Sequence, residues 1–196
     1  DQSLKVGFIG LGNVGAKLAG TLLRNGVDLC VHDLNNDLVN DFVARGARPA
    51  DSPKQMAEQV DVVVTCLPSP KACSDVMEAS DGVVAGLAAG KIWLEMSTTD
   101  STEMARIGKL VEAAGATPVD CPVSGGCHRA ATGNISIFAG CTREAFDRVL
   151  PILTTMGRRV VHTGALGTAS QLKVLTNYLC TMHLAALAEA LTVAKK

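Results

Sequence analysis

Residues 6–15 read VGFIGLGNVG, an apolar run that breaks into G-x-G-x-x-G at Gly10, Gly12 and Gly15 before a helical pattern begins. No other stretch constrains the fold as much. Glycine inside regular structure costs about 0.5–1 kcal/mol relative to alanine, so three of them at a strand-to-helix junction need a reason. The first permits a tight turn, the second lets backbone approach a ligand closely, and the third allows helix and strand to pack. Phosphate fits such a loop, because free N–H groups gather at the start of the following helix. The surrounding pattern completes the signal: a second strand, DLCVHD, ends at Asp33, an acid placed to accept hydrogen bonds from ribose hydroxyls. Gly10, Leu11, Gly12, Asn13, Val14, Gly15 and Asp33 are therefore the expected dinucleotide-binding residues. A 2′-phosphate about 4 Å from that carboxylate would be repelled by about 4 kcal/mol at an effective dielectric of 20. Leu34 and Asn35 follow where an arginine would be needed to receive it, so the expected cofactor is NAD rather than NADP.

The rest of the chain repeats the alternation. Strands are expected at LKVGFIG, DLCVHD, DVVVTCLP, KIWLEMS, ATPVDCPVS, NISIFAG and RRVVHTG, separated mostly by helical segments such as NDLVNDFVARG and DSTEMARIGKLVEAAG. This is the pattern of βαβ units, hence an α/β, Rossmann-like, doubly wound and mainly parallel sheet over residues 1–164. Residues 165–196 differ. From Ser170 onward no turn signal appears, and apolar residues lie nearly all round, as expected of one long helix of about 27 residues, roughly 40 Å. Such a helix needs a cover, so it reads as an interdomain helix whose all-α domain is missing from the chain or supplied by another subunit. Association into a homo-oligomer is the corresponding expectation.

Composition narrows the class. The 196 residues are 47% hydrophobic and 3% aromatic with net charge -1, which argues against nucleic acid or an anionic membrane as partner. The seven cysteines form no CxxC pair and mostly occupy apolar runs, as reduced small hydrophobes do. Cys121, Cys127 and His128 offer a conceivable zinc set, which the reduced-hydrophobe reading outweighs, and no metal is expected. No run of 18 apolar residues or signal peptide is visible, and the DQSL start reads as processed or trimmed. The expected compartment is the cytoplasm, with the mitochondrial matrix open if the chain is processed.

Three loops at the carboxyl ends of strands offer further chemistry. Leu67 and Pro68 in CLPSP are candidate cofactor contacts, and Ser97 and Thr98 in MSTT offer hydroxyls and N–H groups. Ser124, Gly125 and Gly126 in CPVSGG expose backbone N–H groups suited to a carboxylate. Lys173 and Asn177 lie four apart on the terminal helix and so share a face. A lysine held in a cleft can accept and return a hydroxyl proton. His32, His162 and His183 read as packing residues.

Taken together, GFIGLGNVG, LP, MSTT, DCPVSGG with ATGNISIFAGC, and GALGTASQLKVLTN resemble the β-hydroxyacid dehydrogenases over essentially the whole chain. The resemblance implies a Rossmann-like domain and a long interdomain helix. It implies NAD-dependent hydride transfer between cofactor and a small 3-hydroxy acid or semialdehyde. By position it makes Lys173 the catalytic lysine and Asn177 its companion, with the substrate carboxylate at Ser124, Gly125 and Gly126. Thr98, Leu67, Pro68 and Gly10 to Gly15 with Asp33 then contact the cofactor, Thr98 also lying by the substrate. An imine reductase-like enzyme and a non-catalytic nucleotide-binding scaffold are the alternatives, and Lys173 speaks against both. Val14 replaces the usual methionine, and Ala169 stands where glycine is frequent. Cys127, His128 and Arg129 follow the double glycine where small apolar residues are usual; Arg129 could select a second anionic group or pair with Asp120 on the surface.

Overall fold

The central strands of this chain are buried on both faces, and that dictates their composition. In a computed structural model, which describes residues 4–195, β1 (Val6–Ile9) passes through the glycine loop into α1 (Gly15–Arg24), followed by β2 (Leu29–His32) and α2 (Asn36–Ala44). The ends of the two expected segments, residues 1–3 and 196, lie outside the described residues. Next come β3 (Arg48–Pro49), α3 (Pro53–Gln59), β4 (Val62–Thr65), α4 (Pro70–Glu78), α5 (Val83–Gly86), β5 (Ile92–Glu95) and α6 (Ser101–Ala113). The last third holds β6 (Thr117–Asp120), β7 (Val123–Ser124), α7 (Gly126–Ala131), β8 (Ile135–Gly140), α8 (Arg143–Met156), β9 (Gly157–Gly164) and α9 (Thr168–Ala194).

The sheet runs β3-β2-β1-β4-β5-β6-β8-β7, with β9 beside β8. This is a Rossmann-like, mostly parallel sheet; β8 pairs antiparallel with β6 and β7 and parallel with β9, so β8 and β9 run against the other strands. Alternate residues of β4 and β5 feed two cores. Val62, Val64, Ile92 and Leu94 face the helix layer of α1 and α8, while Val63 and Trp93 face that of α3, α4 and α6. Both faces being covered, the strands read as unbroken apolar runs rather than alternating ones. Helix starts follow local chemistry: Ser52, Ser69, Asp100 and Thr142 each accept a backbone N–H of the first turn.

One expectation needs correction. The stretch ATPVDCPVS is not one strand, because Pro122 has no N–H for a ladder. The chain breaks there, and the Pro122 carbonyl accepts Phe138 N–H as β7 turns to pair with β8. Strand β3, at two residues, was too short to leave a pattern.

Helix α9 begins two residues before the expected Ser170, after Gly167 in the left-handed region at φ 90°. Only Ala169 and Ser170 are buried along it, and Tyr178, Leu184 and Leu191 lie exposed. By length and composition it could cross a membrane, although Lys173, Asn177, His183 and Glu189 interrupt it. His183 is exposed rather than packed. His32 and His162 do pack: His32 Nδ1 bonds the Ala50 carbonyl, and His162 stacks on Phe146.

Candidate functional site

The strand order reverses between β1 and β4, and ligands of such sheets bind beyond the carboxyl ends of the strands at that point. Gly10 ends β1 with φ 96°, and a Cβ there would overlap the Cys66 carbonyl after β4. A Cβ on Gly15 would overlap the Gly10 carbonyl. These two glycines let the loop close on itself. Gly12 is different: a Cβ there would meet nothing within 4 Å. Its bareness serves no contact within the protein, and it opens a cradle toward solvent. The N–H groups of Gly12, Asn13 and Val14 donate to no other described residue. That donor set, at the start of α1, fits a pyrophosphate.

Asp33 serves the loop as well as its expected ribose. Its Oδ2 accepts Leu11 N–H at 2.6 Å and its Oδ1 accepts Asn35 N–H at 2.8 Å. Both oxygens retain lone pairs for ribose hydroxyls. Leu67 is half-buried and Pro68 exposed at the end of β4. Their loop is braced by a residue that sequence reasoning treated as a possible contact: Leu67 N–H donates to Ser97 Oγ at 2.8 Å. Ser97 is buried, whereas Thr98 is exposed at the mouth.

Behind that brace lies Glu95, which sequence reading missed. It is fully buried at the end of β5 and accepts Ser97 N–H at 2.6 Å, the Thr65 hydroxyl at 3.1 Å and the Cys73 thiol. Trp93 Nε1 donates to Thr65 Oγ1 at 2.8 Å. Burial lifts the Glu95 carboxyl above the ordinary 4.5, against the pull of its donors. A charged residue inside the apolar run KIWLEMS was the available signal. Cys66, half-buried beside the glycine loop, is pushed up to about 12 by burial and by Glu95, which disfavours the thiolate that a nucleophile needs.

Asp120 was the second residue missed, and here an expectation is overturned. It is not on the surface for Arg129 to pair with. It is completely buried, and accepts Ser170 N–H at 2.7 Å and Ser170 Oγ–H at 2.6 Å. Ala169 and Gly167 also offer it backbone N–H groups. Burial still leaves its pKa above the ordinary 3.8. Asp120 thus caps α9 across the fold, doing what Gly167 has no side chain to do.

Lys173 lies one helical turn past Ser170, half-buried, with no ion pair or side-chain hydrogen bond among the described residues. Desolvation lowers its pKa from 10.5. Asn177 is exposed on the same helix face. Ser124 is half-buried; Gly125 and Gly126 are exposed with φ 135° and 78°. No hydrogen bond joins Lys173 to Asn177 or to Ser124 among the described residues. No group of three or more His, Cys, Asp or Glu able to hold a metal occurs among the described residues; Cys121 is buried while Cys127 and His128 are exposed.

Residues 5–164 match the family model described as the NAD binding domain of 6-phosphogluconate dehydrogenase. Over all of its 196 residues the chain is 33% identical to 2-(hydroxymethyl)glutarate dehydrogenase of Eubacterium barkeri, covering 65% of that protein. It is 34% identical to mitochondrial 3-hydroxyisobutyrate dehydrogenase of Mus musculus, over 96% of this chain and 56% of that one. The chain thus spans less than two thirds of the length of these curated relatives. Among solved structures, 3-hydroxyisobutyrate dehydrogenase of Mycobacterium tuberculosis with L-serine superposes at a TM-score of 0.93. It is 28% identical, over the whole of this chain and 66% of that one.

Proposed function

The chain belongs to the β-hydroxyacid dehydrogenase family, and from that premise we propose that it carries out NAD-dependent hydride transfer between a small 3-hydroxy acid and its semialdehyde. The observation that carries the reading is the placing of Asp120. Four residues after it comes Ser124 of the carboxylate cradle, and the helix turn it holds at Ser170 leads to Lys173. One buried carboxyl therefore holds the helix turn that leads to Lys173 against the strand end from which the Ser124 loop departs.

NAD, when bound, supplies the hydride acceptor, with Gly12 to Val14 and Asp33 as its holders. Gly125 and Gly126 orient the substrate carboxylate with their exposed backbone N–H groups, and Ser124 adds its hydroxyl beside them. During oxidation Lys173 Nζ accepts the hydroxyl proton, and during reduction it returns one. Desolvation favours the neutral amine needed for the first role. Asn177 steadies the hydroxyl or the amine from the same helix face. Asp33 favours NAD over NADP by repulsion of a 2′-phosphate. The exposed apolar length of α9 is the seat of the all-α domain that the resemblance implies.

The test is a panel of 3-hydroxy acids assayed for NADH formation, with Lys173→Ala as control. Turnover falling by about two to four orders of magnitude in the variant is expected of a lost acid–base group. In the parent, oxidation should rise with pH through a pKa below the ordinary 10.5, a step absent from the variant. Equal turnover by both proteins would refute the role. NADH binding without turnover of any member would favour the scaffold alternative.

A further inference from the structure

The chain has nine arginines, and six of them are engaged. Arg45, Arg48, Arg106 and Arg143 meet carboxylates, while Arg24 and Arg148 donate to backbone carbonyls. The other three, Arg129, Arg158 and Arg159, make no side-chain hydrogen bond or ion pair among the described residues. All three line one cavity of about 480 Å³, with Asn134 and Ser136 and no acid among its lining residues. Guanidinium stays charged at any relevant pH, so three of them around one space repel until an anion enters. Elsewhere the chain supplies partners to its arginines; among the described residues only these three lie together and open.

The cavity adjoins the carboxylate cradle. Ser124 and Ser136 are opposite residues of the antiparallel β7–β8 pair, so their side chains share a sheet face. Arg159 is opposite Ser136 on β9. Ser124, Ser136 and Arg159 thus form a row across adjacent strands, each step about 4.8 Å. Arg129 closes the row from the other side: a Cβ on Gly125 would come within 3.0 Å of its Cδ.

We propose that this arginine-lined cavity binds a second carboxylate of the substrate, making the substrate class dicarboxylic 3-hydroxy acids. The inference rests on the proposed dehydrogenase reading, since the first carboxylate is the one held at Ser124. Arginine's planar fork suits a carboxylate bidentately, and Asn134 and Ser136 add neutral donors beside it.

Two arms test it in the whole protein that carries this chain. The first measures kcat/KM for matched 3-hydroxy acids with and without a second carboxylate. The ratio should favour the diacid by tenfold or more, and Arg158→Ala/Arg159→Ala should cut that ratio at least tenfold, with Arg158→Lys/Arg159→Lys between the two. A ratio near one, or one the double alanine variant leaves unchanged, overturns the proposal. The second arm follows binding of glutarate, butyrate and inorganic phosphate by calorimetry with NAD present, after circular dichroism confirms that the variants fold. Glutarate should bind at least tenfold tighter than butyrate and lose that advantage in the double alanine variant. If instead only phosphate binding depends on the arginines, the cavity is a separate anion site and the proposal fails. If no hydroxy acid is turned over while glutarate still binds through the arginines, the dehydrogenase reading fails and the cavity stands as a dicarboxylate site.

Discussion

Gly12→Ala separates a glycine kept for the fold from one kept for a ligand. The added methyl would meet nothing within 4 Å, and Gly12 is not among the glycines with positive φ. Its effect on the free protein is therefore set by the unfolded chain, whose lost freedom stabilises the fold by about 0.4–1 kcal/mol. The same methyl projects into the cradle formed by the N–H groups of residues 12–14. Pushing an anion off one charge-assisted hydrogen bond costs about 1.5–3 kcal/mol. At about 1.4 kcal/mol per decade, NAD should bind roughly ten to a hundred times more weakly. Thermal melts of the free protein and a fluorescence titration with NADH read the two effects separately. Gly10→Ala and Gly15→Ala are the contrasting controls, because their methyls overlap the Cys66 and Gly10 carbonyls and should destabilise the fold itself. A Gly12→Ala protein that melts early, or one that binds NADH like the parent, would refute the reasoning.

Other consequences follow from the two buried carboxyls and from the ribose acid. Asp120→Ala leaves the Ser170 donors unmet inside the protein, a loss of about 2–4 kcal/mol, or roughly 5–15 °C in Tm; an unchanged melt would remove Asp120 as the cap of α9. Glu95 is protonated more readily in the folded than in the unfolded chain. Its contribution to stability is thus full below the ordinary 4.5 and declines as pH rises toward the folded value. Tm measured against pH should fall more steeply in the parent than in Glu95→Gln over that window, and parallel curves would count against it. Asp33→Asn should narrow the preference for NAD over NADP about tenfold in kcat/KM, since the half-exposed carboxylate is partly screened. A parent that prefers NADP would contradict the assignment.

Local chemistry determined most of the frame. Alternating apolar runs and capped helices led to a parallel sheet with helices on both faces, because each signal is satisfied within a few residues. Ser52, Ser69, Asp100 and Thr142 cap the helices that follow them in sequence. The glycine loop was equally legible, since G-x-G-x-x-G between strand and helix is a backbone requirement written in side-chain absence. What the sequence could not settle was every partnership formed across distance. Asp120 meets Ser170 fifty positions away, and Leu67 meets Ser97 thirty away. Glu95 joins Thr65, Cys73 and Ser97 only once β4 and β5 lie side by side. The three unpaired arginines come from α7 and β9, and only the β8 register brings them to one cavity. Periodicity says which face of an element is apolar; which elements then become neighbours is decided by the packing of the whole sheet. The acids and arginines take their roles from that packing.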